Sequence, residues 1–312
     1  MVNYPNYYKK FFKVALNNHR EISFKSIKNI VGFVLAAHQN KDEISHFLNR
    51  MDTIKQVDFK LPDEKLGVIK WPYIHNNWDI KHKMQVIAGH YELMSSTNPA
   101  LVLDENKANY KVIDLSHISQ NITIVIDIAQ WFLREGELVI NIFREDLRVA
   151  SIAFSTCVYD NEKIAFIGAI QGIHSGVSTE ESLEIYRMLT KDFEGLRPRS
   201  LLLEVLKMVL AQLSIQKIYA ISEQRRHHRH AYFGNNQDTV FKSDYNAFWE
   251  EHGGILNAEN GFYELPLNLS IKDLSEIASK KRSLYKRRYE VIGEINNNIQ
   301  ASMTQQSNSI AS

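Results

Sequence analysis

Between Lys111 and Gln171 the chain passes through five short stretches rich in Ile, Val, Phe and Tyr, and directly afterwards its apolar residues fall at three- and four-residue steps. That switch of period limits the fold more than any other feature, because short β-rich runs bounded by turns suit strands and the longer step suits amphipathic helices. The five stretches are Lys111 to Leu115, Ile122 to Ala129, Glu137 to Phe143, Val149 to Tyr159 and Ile164 to Gln171, with turn residues such as Arg134-Glu135-Gly136 and Tyr159-Asp160-Asn161-Glu162 between them. They predict an antiparallel meander. Beyond it, helices are predicted over Thr179 to Phe193, Pro198 to Leu213 and Ser243 to His252, and strands over Lys217 to Ser222 and Gly261 to Leu267. This order makes an α+β chain, not a doubly wound one.

The flanks read as helical. Phe24 to Met51 sets Ile27, Ile30, Val31, Val34, Leu35, Ile44 and Leu48 mostly at helical spacing. After a turn-rich stretch with Pro62, Gly67 and Pro72, Asp79 to Ser95 repeats the pattern with Met84, Ile87, Ala88, Tyr91 and Met94. The expected division is a helical N-terminal subdomain over 1–109, a core over 110–270, a basic C-terminal helix over 271–296 and a disordered tail over 297–312. With 312 residues, 44% of them hydrophobic and 23% charged, the chain can bury a sizeable core.

Charge narrows the function classes. Lys plus Arg number 37 against 36 Asp plus Glu, so no global field favours nucleic acid or membrane. Nucleic acid is not an expected partner, since no aromatic residues interleave with the basic loop as stacking platforms. The single Cys157 cannot form an internal disulfide, which fits a reducing compartment and a cytoplasmic location. Residues 1–20 lack the apolar core of a signal peptide, and the longest apolar runs are too short to span a bilayer. Contact with the inner membrane would be peripheral.

Several residues are candidates for chemistry, each with a plainer reading beside it. Gly195-Leu196-Arg197-Pro198-Arg199-Ser200 opens a helix with Pro198 at its first position. Free backbone N–H groups and two arginines make a phosphate cradle there, while the plainer reading pairs Arg197 and Arg199 with solvent, Asp192 or Glu194. Lys191 could reach the same phosphate or simply face water. Gln171 and His174 end a strand where a polar group can bind or deprotonate a nucleophile, although a lone histidine is more often structural. Glu223 and Tyr245 are further acid–base candidates. Arg225-Arg226-His227-His228-Arg229-His230 reads first as a solvated loop, then as an anion or acyl-carrier site, and last as a metal site. No metal cofactor is expected. Lys280 to Arg288 brings six basic residues together with Leu284 and Tyr285, which is either a solvated helix or a face for anionic lipid or an acidic carrier protein. Serine-elbow, Walker, HExxH and CxxC patterns are absent. Cys157 lies in an apolar strand pattern and reads as core.

The element order from Glu137 to Pro266 resembles the second half of the GNAT N-acyltransferase fold. The resemblance implies that Arg197, Arg199 and Ser200, with Lys191 and Gln171, hold an acyl-coenzyme A or acyl carrier protein, its pantetheine arm lying between the strands at Ile164 to Gln171 and Lys217 to Ser222. Arg197-Pro198-Arg199-Ser200 lacks the usual glycines, an additional helix precedes it, and Trp249 stands where that superfamily often has a proton-donating tyrosine. A second set of motifs is more specific in combination. Ile167-Gly168-Ala169-Ile170-Gln171-Gly172, Gly195-Leu196-Arg197-Pro198, Asp244-Tyr245-Asn246-Ala247-Phe248-Trp249 with Gly253-Gly254, Phe262-Tyr263-Glu264-Leu265-Pro266 and Lys280-Lys281-Arg282 are similar to the bacterial VirK/YbjX family. That resemblance implies a link to virulence, envelope change or resistance to antimicrobial peptides, and no particular reaction. The combined expectation is an acyltransferase passing an acyl group to an amine or hydroxyl acceptor, with His174, Glu223 and Tyr245 as catalytic candidates. The alternative is a non-enzymatic adaptor on an anionic membrane.

Overall fold

A computed structural model describes residue 9 and residues 11–16, 24–54, 61–104, 107–173, 176–234 and 244–310. The N-terminal helical pattern is split into α1 (Phe24–Gln39) and α2 (Lys41–Asp52) at Asn40, whose side-chain amide donates to the Ala36 carbonyl at 2.8 Å. A short 3-10 stretch, Asp63–Ile69, leads to α3 (Ile80–Thr97). The Asp79 carboxylate accepts from the His82 backbone N–H at 2.8 Å and so starts α3.

The strands are β1 (Asn109–Asp114), β2 (Ile122–Ile128), β3 (Leu138–Arg144), β4 (Leu147–Tyr159), β5 (Glu162–Gln171), β6 (Lys217–Ile221), β7 (Ile255–Asn257) and β8 (Phe262–Leu265). They form one sheet in the order β1-β2-β3-β4-β5-β6-β8-β7. Every pair is antiparallel except β5 with β6. The helices α4 (Thr179–Asp192) and α5 (Pro198–Gln212) make that crossover, and α6 (Tyr245–Glu251) follows β6. The result is the expected α+β architecture, a mostly antiparallel sheet with packed helices behind N-terminal helices. β7 has no signature in the sequence, because its three exposed residues carry no burial pattern.

Two helices cover the sheet for different reasons. α5 is buried along almost its whole length, from Leu201 to Leu210, and packs on β3, β4 and β5. Its interior pair Glu204 and Lys207 is satisfied locally: Lys207 donates to Glu204 at 3.3 Å and to the Asn268 carbonyl at 3.1 Å, while Glu204 accepts from Ser270 twice at 2.8 Å. α3 instead serves β4 where β4 outruns β3, whose pairing stops at Leu138↔Phe154. The His90 ring Nδ1 accepts the Thr156 backbone N–H at 3.2 Å, so a strand edge that would otherwise lack a partner is capped. Gly89 permits that approach, since a Cβ there would lie 2.7 Å from the Cys157 Cβ.

The last helix, α7 (Ser279–Ile310), packs on α5 and β1 through Ile292, Ile295, Ile299 and Met303. It therefore runs through the region expected to be a disordered tail after Asn296. The apolar spacing of Ile292, Ile295, Ile299 and Met303 continues past that point and is buried, which is the physical reason for the longer helix. Cys157 is fully buried, and burial pushes its thiol up to about 12, so it is inert core.

Candidate functional site

The site grows from the one parallel pair among the described strands. β5 and β6 share a ladder only from Ile164↔Lys217 to Ile167↔Ala220, while β5 itself continues to Gln171. The cause is an extra residue in β5. Its register with β4 steps from Ala153↔Ala169 to Phe154↔Ile167, which leaves Gly168 as the bulge. Only glycine fits, because a Cβ at Gly168 would sit 2.0 Å from the Glu135 carbonyl oxygen. The turn between β2 and β3 thus lies directly on β5, and it carries Glu135 to the place where the strands part.

Side chains from α6 fill that parting. The Ile170 backbone N–H donates to the Tyr245 hydroxyl at 3.0 Å, and the Trp249 indole N–H donates to the Ile221 carbonyl at 2.9 Å. Both rings are fully buried. Burial pushes the Tyr245 phenol up to about 12, so it stays a neutral hydroxyl. Tyr245 also lies under Arg226, whose guanidinium carbon is 3.9 Å from the ring centroid.

After β6 the chain makes three short 3-10 turns over Glu223–Arg225, His227–Arg229 and Ala231–Phe233. The loop expected to be solvated is therefore packed, with Arg226 and His228 each 3% exposed. Glu223 organises it, accepting from Arg226 at 3.2 Å and Arg229 at 3.1 Å, with the His228 ring 3.7 Å away. Its backbone N–H donates to the Asn246 side chain at 2.9 Å, which ties the loop to α6. Paired carboxylates are what let basic residues go inside. The same packing explains why burial holds the His227 and His228 rings down to about 3.

Glu135 differs from Glu223. It is 6% exposed, and among the described residues its carboxylate lies 4.0 Å from the Arg226 guanidinium and 3.8 Å from the His227 ring Nδ1, both too long for hydrogen bonds. Burial pushes its carboxyl up to about 7, with Arg226 and Arg134 pulling the other way. Among the described residues His227 Nδ1 has no hydrogen-bond partner. A carboxyl perturbed by burial beside charged partners is a candidate for function.

The structure brings Glu223 and Tyr245 into this cluster through Arg226, while His174 lies outside the described residues. Gln171 ends β5 opposite Ser151 and is half-buried. The remaining candidates are elsewhere. Lys191 is exposed in the last turn of α4, and Ser200 is buried in the first turn of α5. Arg197 pairs with Glu251 of α6, and the Arg199 guanidinium lies 5.4 Å above the Phe248 ring. Those two arginines fasten α5 to α6. A pantetheine arm between β5 and β6 would need the space at Ile170 and Ile221 that Tyr245 and Trp249 fill, so the residues as placed do not fit that group. Sequence reasoning missed Glu135, taking it for a turn residue, and weighed His227 only within a basic loop that reads first as solvated, then as an anion or acyl-carrier site and last as a metal site.

Among the described residues no group of three or more His, Cys, Asp or Glu is placed to hold a metal ion. None of the described helices is long and apolar enough to cross a membrane.

Comparison with known proteins agrees on one family. The family described as "Protein of unknown function (DUF535)" matches residues 23–301. A protein of Escherichia coli strain K12, described as "Uncharacterized protein YbjX", is 30% identical over 230 residues, which is 72% of this chain and 67% of that protein. Two uncharacterized proteins of Haemophilus influenzae also match. One is 35% identical over 120 residues, 38% of each chain, and the other is 26% identical over 186 residues, 60% of each. No solved structure matches the chain.

Proposed function

We propose that this chain, which belongs to the DUF535 family, is an acyl-transfer enzyme acting on an amine or hydroxyl acceptor, with the Glu135 carboxyl taking the acceptor's proton. The observation that carries the reading is a buried carboxyl with no hydrogen bond among the described residues, raised to about 7, at the point where the parallel strands part. An ammonium acceptor must lose a proton before its nitrogen can attack a carbonyl. A base whose pKa lies near the working pH does this best, being half ionised and still basic enough. Arg226 and Arg134 would hold the ionised form, and the fixed Glu223–Arg226 pair keeps Arg226 in place. Because the strand parting does not fit a pantetheine arm, no step is assigned to acyl-coenzyme A or an acyl carrier protein.

The test uses a donor that needs no pantetheine site. With p-nitrophenyl acetate as acyl donor and ethanolamine as acceptor, nitrophenolate release by the full chain is expected to rise through about pH 7. Glu135→Gln is expected to lower it by about 100-fold. Equal rates in wild type and variant, or no release above the uncatalysed rate, overturns the reading. Thermal stabilisation by acetyl- or palmitoyl-coenzyme A would overturn the misfit at Tyr245.

A second reading, compatible with the first, is peripheral attachment to an anionic membrane. It is favoured by the start of α7, where Lys280, Lys281 and Lys286 are exposed with no carboxylate in ion-pair range among the described residues, beside exposed Ile271. Arg287 pairs with Glu194 at 2.9 Å and Arg288 donates to the Glu194 carbonyl at 2.9 Å, which holds this face rigidly on the body. Each such cation is worth about 1 kcal/mol at an anionic surface. Salt-sensitive sedimentation with phosphatidylglycerol vesicles, absent with phosphatidylcholine and lost on reversing the three lysines to glutamate, is the expected result.

A further inference from the structure

Along β2, β3 and the start of β4, no helix among the described residues covers one face of the sheet. Strand alternation sends Ile122, Ile124 and Ile126 into the main core, and Thr123, Val125 and Asp127 to the other side. On that other side Val139, Phe132, Ala129, Ala153 and Ala169 form a small apolar cluster of their own. Beside it runs a groove of about 730 Å³, lined by Asp127, Trp131, Phe132, Asn141, Phe143 and Arg148 among others.

The polar residues of this groove form a built arrangement. Ser151 donates to the Asn141 side-chain oxygen at 2.5 Å, and the Asn141 amide nitrogen donates to Asp127 Oδ2 at 2.5 Å. Ser151 is fully buried and Asn141 is 3% exposed, so Asn141 can hardly turn and Asp127 is held in one orientation. Asp127 Oδ1 has no hydrogen-bond partner among the described residues, and burial raises this carboxyl against the pull of Asn141 and Arg148. Arg148 does not cancel the charge by direct contact, because its guanidinium lies 5.2 Å from the Phe132 ring and forms no ion pair within 4.0 Å among the described residues. Asp146 adds a second carboxylate at the rim.

Trp131 completes the arrangement. It is 80% exposed, whereas Trp71 and Trp78 are half-buried and Trp249 is fully buried. An indole left in water at the mouth of a groove, next to an oriented carboxylate, has the two elements that bind organic cations: a negative ring face and a fixed anion. A phosphate or carboxylate ligand would meet Asp127 and Asp146 with like charge, and a neutral apolar ligand would leave the free carboxylate oxygen buried and unpaired.

We propose that this groove is a binding site for an organic ammonium ion, anchored by Asp127 Oδ1 and covered by the Trp131 ring. The inference stands apart from the acyl-transfer reading, since it uses neither Glu135 nor the parting of β5 and β6.

The experiment titrates the full chain with butane-1,4-diamine, n-butylamine and butan-1-ol while following the Trp131 indole N–H by NMR, with the assignment taken from Trp131→Phe. The two amines are expected to shift that resonance with dissociation constants on the order of 1 mM, and the alcohol to leave it in place. Asp127→Asn keeps an oxygen acceptor for Asn141, and it is expected to weaken amine binding about tenfold or more. Trp131→Ala, read by calorimetry, is expected to weaken it by about fivefold with an unchanged thermal melt. No shift with either amine, an equal response to butan-1-ol, or unchanged affinity in Asp127→Asn would overturn the proposal.

Discussion

Glu135 and Glu137 sit two residues apart at the end of the turn between β2 and β3, are both buried, and meet opposite surroundings. Glu137 accepts from the Lys65 ammonium at 3.0 Å, the Tyr73 hydroxyl at 2.7 Å and the Tyr91 hydroxyl at 2.8 Å, and its backbone N–H donates to Ser155 at 3.0 Å. Among the described residues Glu135 has Arg226 at 4.0 Å and His227 at 3.8 Å, and no hydrogen bond to its carboxylate. The difference separates two uses of a buried charge. Glu137 is saturated and fastens the N-terminal helices to the sheet, and burial beside it raises the Tyr73 and Tyr91 phenols well above their ordinary range. Glu135 has no hydrogen-bond donor among the described residues, and an acid held near neutrality is suited to exchanging a proton with something else.

The sharpest way to break this contrast is to remove each acid. Glu137→Ala strands the Lys65 ammonium, 4% exposed, without a counter-ion, and is expected to cost about 3–5 kcal/mol in urea unfolding. An effect below about 1 kcal/mol, the level of a surface ion pair, would show that Glu137 is not the fastening.

Glu135→Gln is expected to act through pH. The folded carboxyl titrates near 7 against an ordinary value of 4.5, so its contribution is fully favourable below about pH 4.5 and is lost as pH rises through 7. That amounts to about 3 kcal/mol of stability lost by the wild type and kept by the variant. His227 and His228 have the opposite sign, since rings held down to about 3 cost stability as pH falls below 6.5. Unfolding free energies of both proteins between pH 4 and 9 separate the two effects, and parallel curves would remove Glu135 from the account.

Gly168→Ala tests whether the turn must touch β5. The new methyl meets the Glu135 backbone, and a loss of about 1–3 kcal/mol is expected from the forced shift. The smallest effect belongs to Arg197→Ala. Its exposed pair with Glu251 is worth about 0–1 kcal/mol, measured by thermal melt. A large loss of carrier binding in that variant would restore the phosphate-cradle role read from the sequence.

Much of the architecture was legible because it rests on period and on caps. The five strands of the meander fall within two residues of the stretches Lys111 to Leu115 through Ile164 to Gln171, and Pro198 starts α5 as its fixed φ and missing N–H require. The course of α7 past Asn296 was not read, because the polar residues between Ile295, Ile299 and Met303 hide their helical spacing. What could not be read is which basic residues go inside. Arg226 and Arg197 look alike in sequence, and only the tertiary placement of Glu223 and Tyr245 buries one while Glu251 holds the other at the surface. Glu135 was hidden for a related reason, since Arg134-Glu135-Gly136 has ordinary turn composition and only the bulge at Gly168 brings it onto β5. Asp127 left a fainter signal: it is the charged residue on the alternate face of Ile122–Ile128, whose other face is Ile122, Ile124 and Ile126.

The titration of the Glu135 side chain itself reaches the centre of this account. Following its carboxyl carbon by NMR in glutamate-labelled protein, with Glu135→Gln to assign the resonance, a midpoint near pH 7 is expected. A midpoint at or below the ordinary glutamate value of 4.5 would mean that the carboxylate is satisfied and ionised in the folded chain, and would contradict its assignment as the proton acceptor.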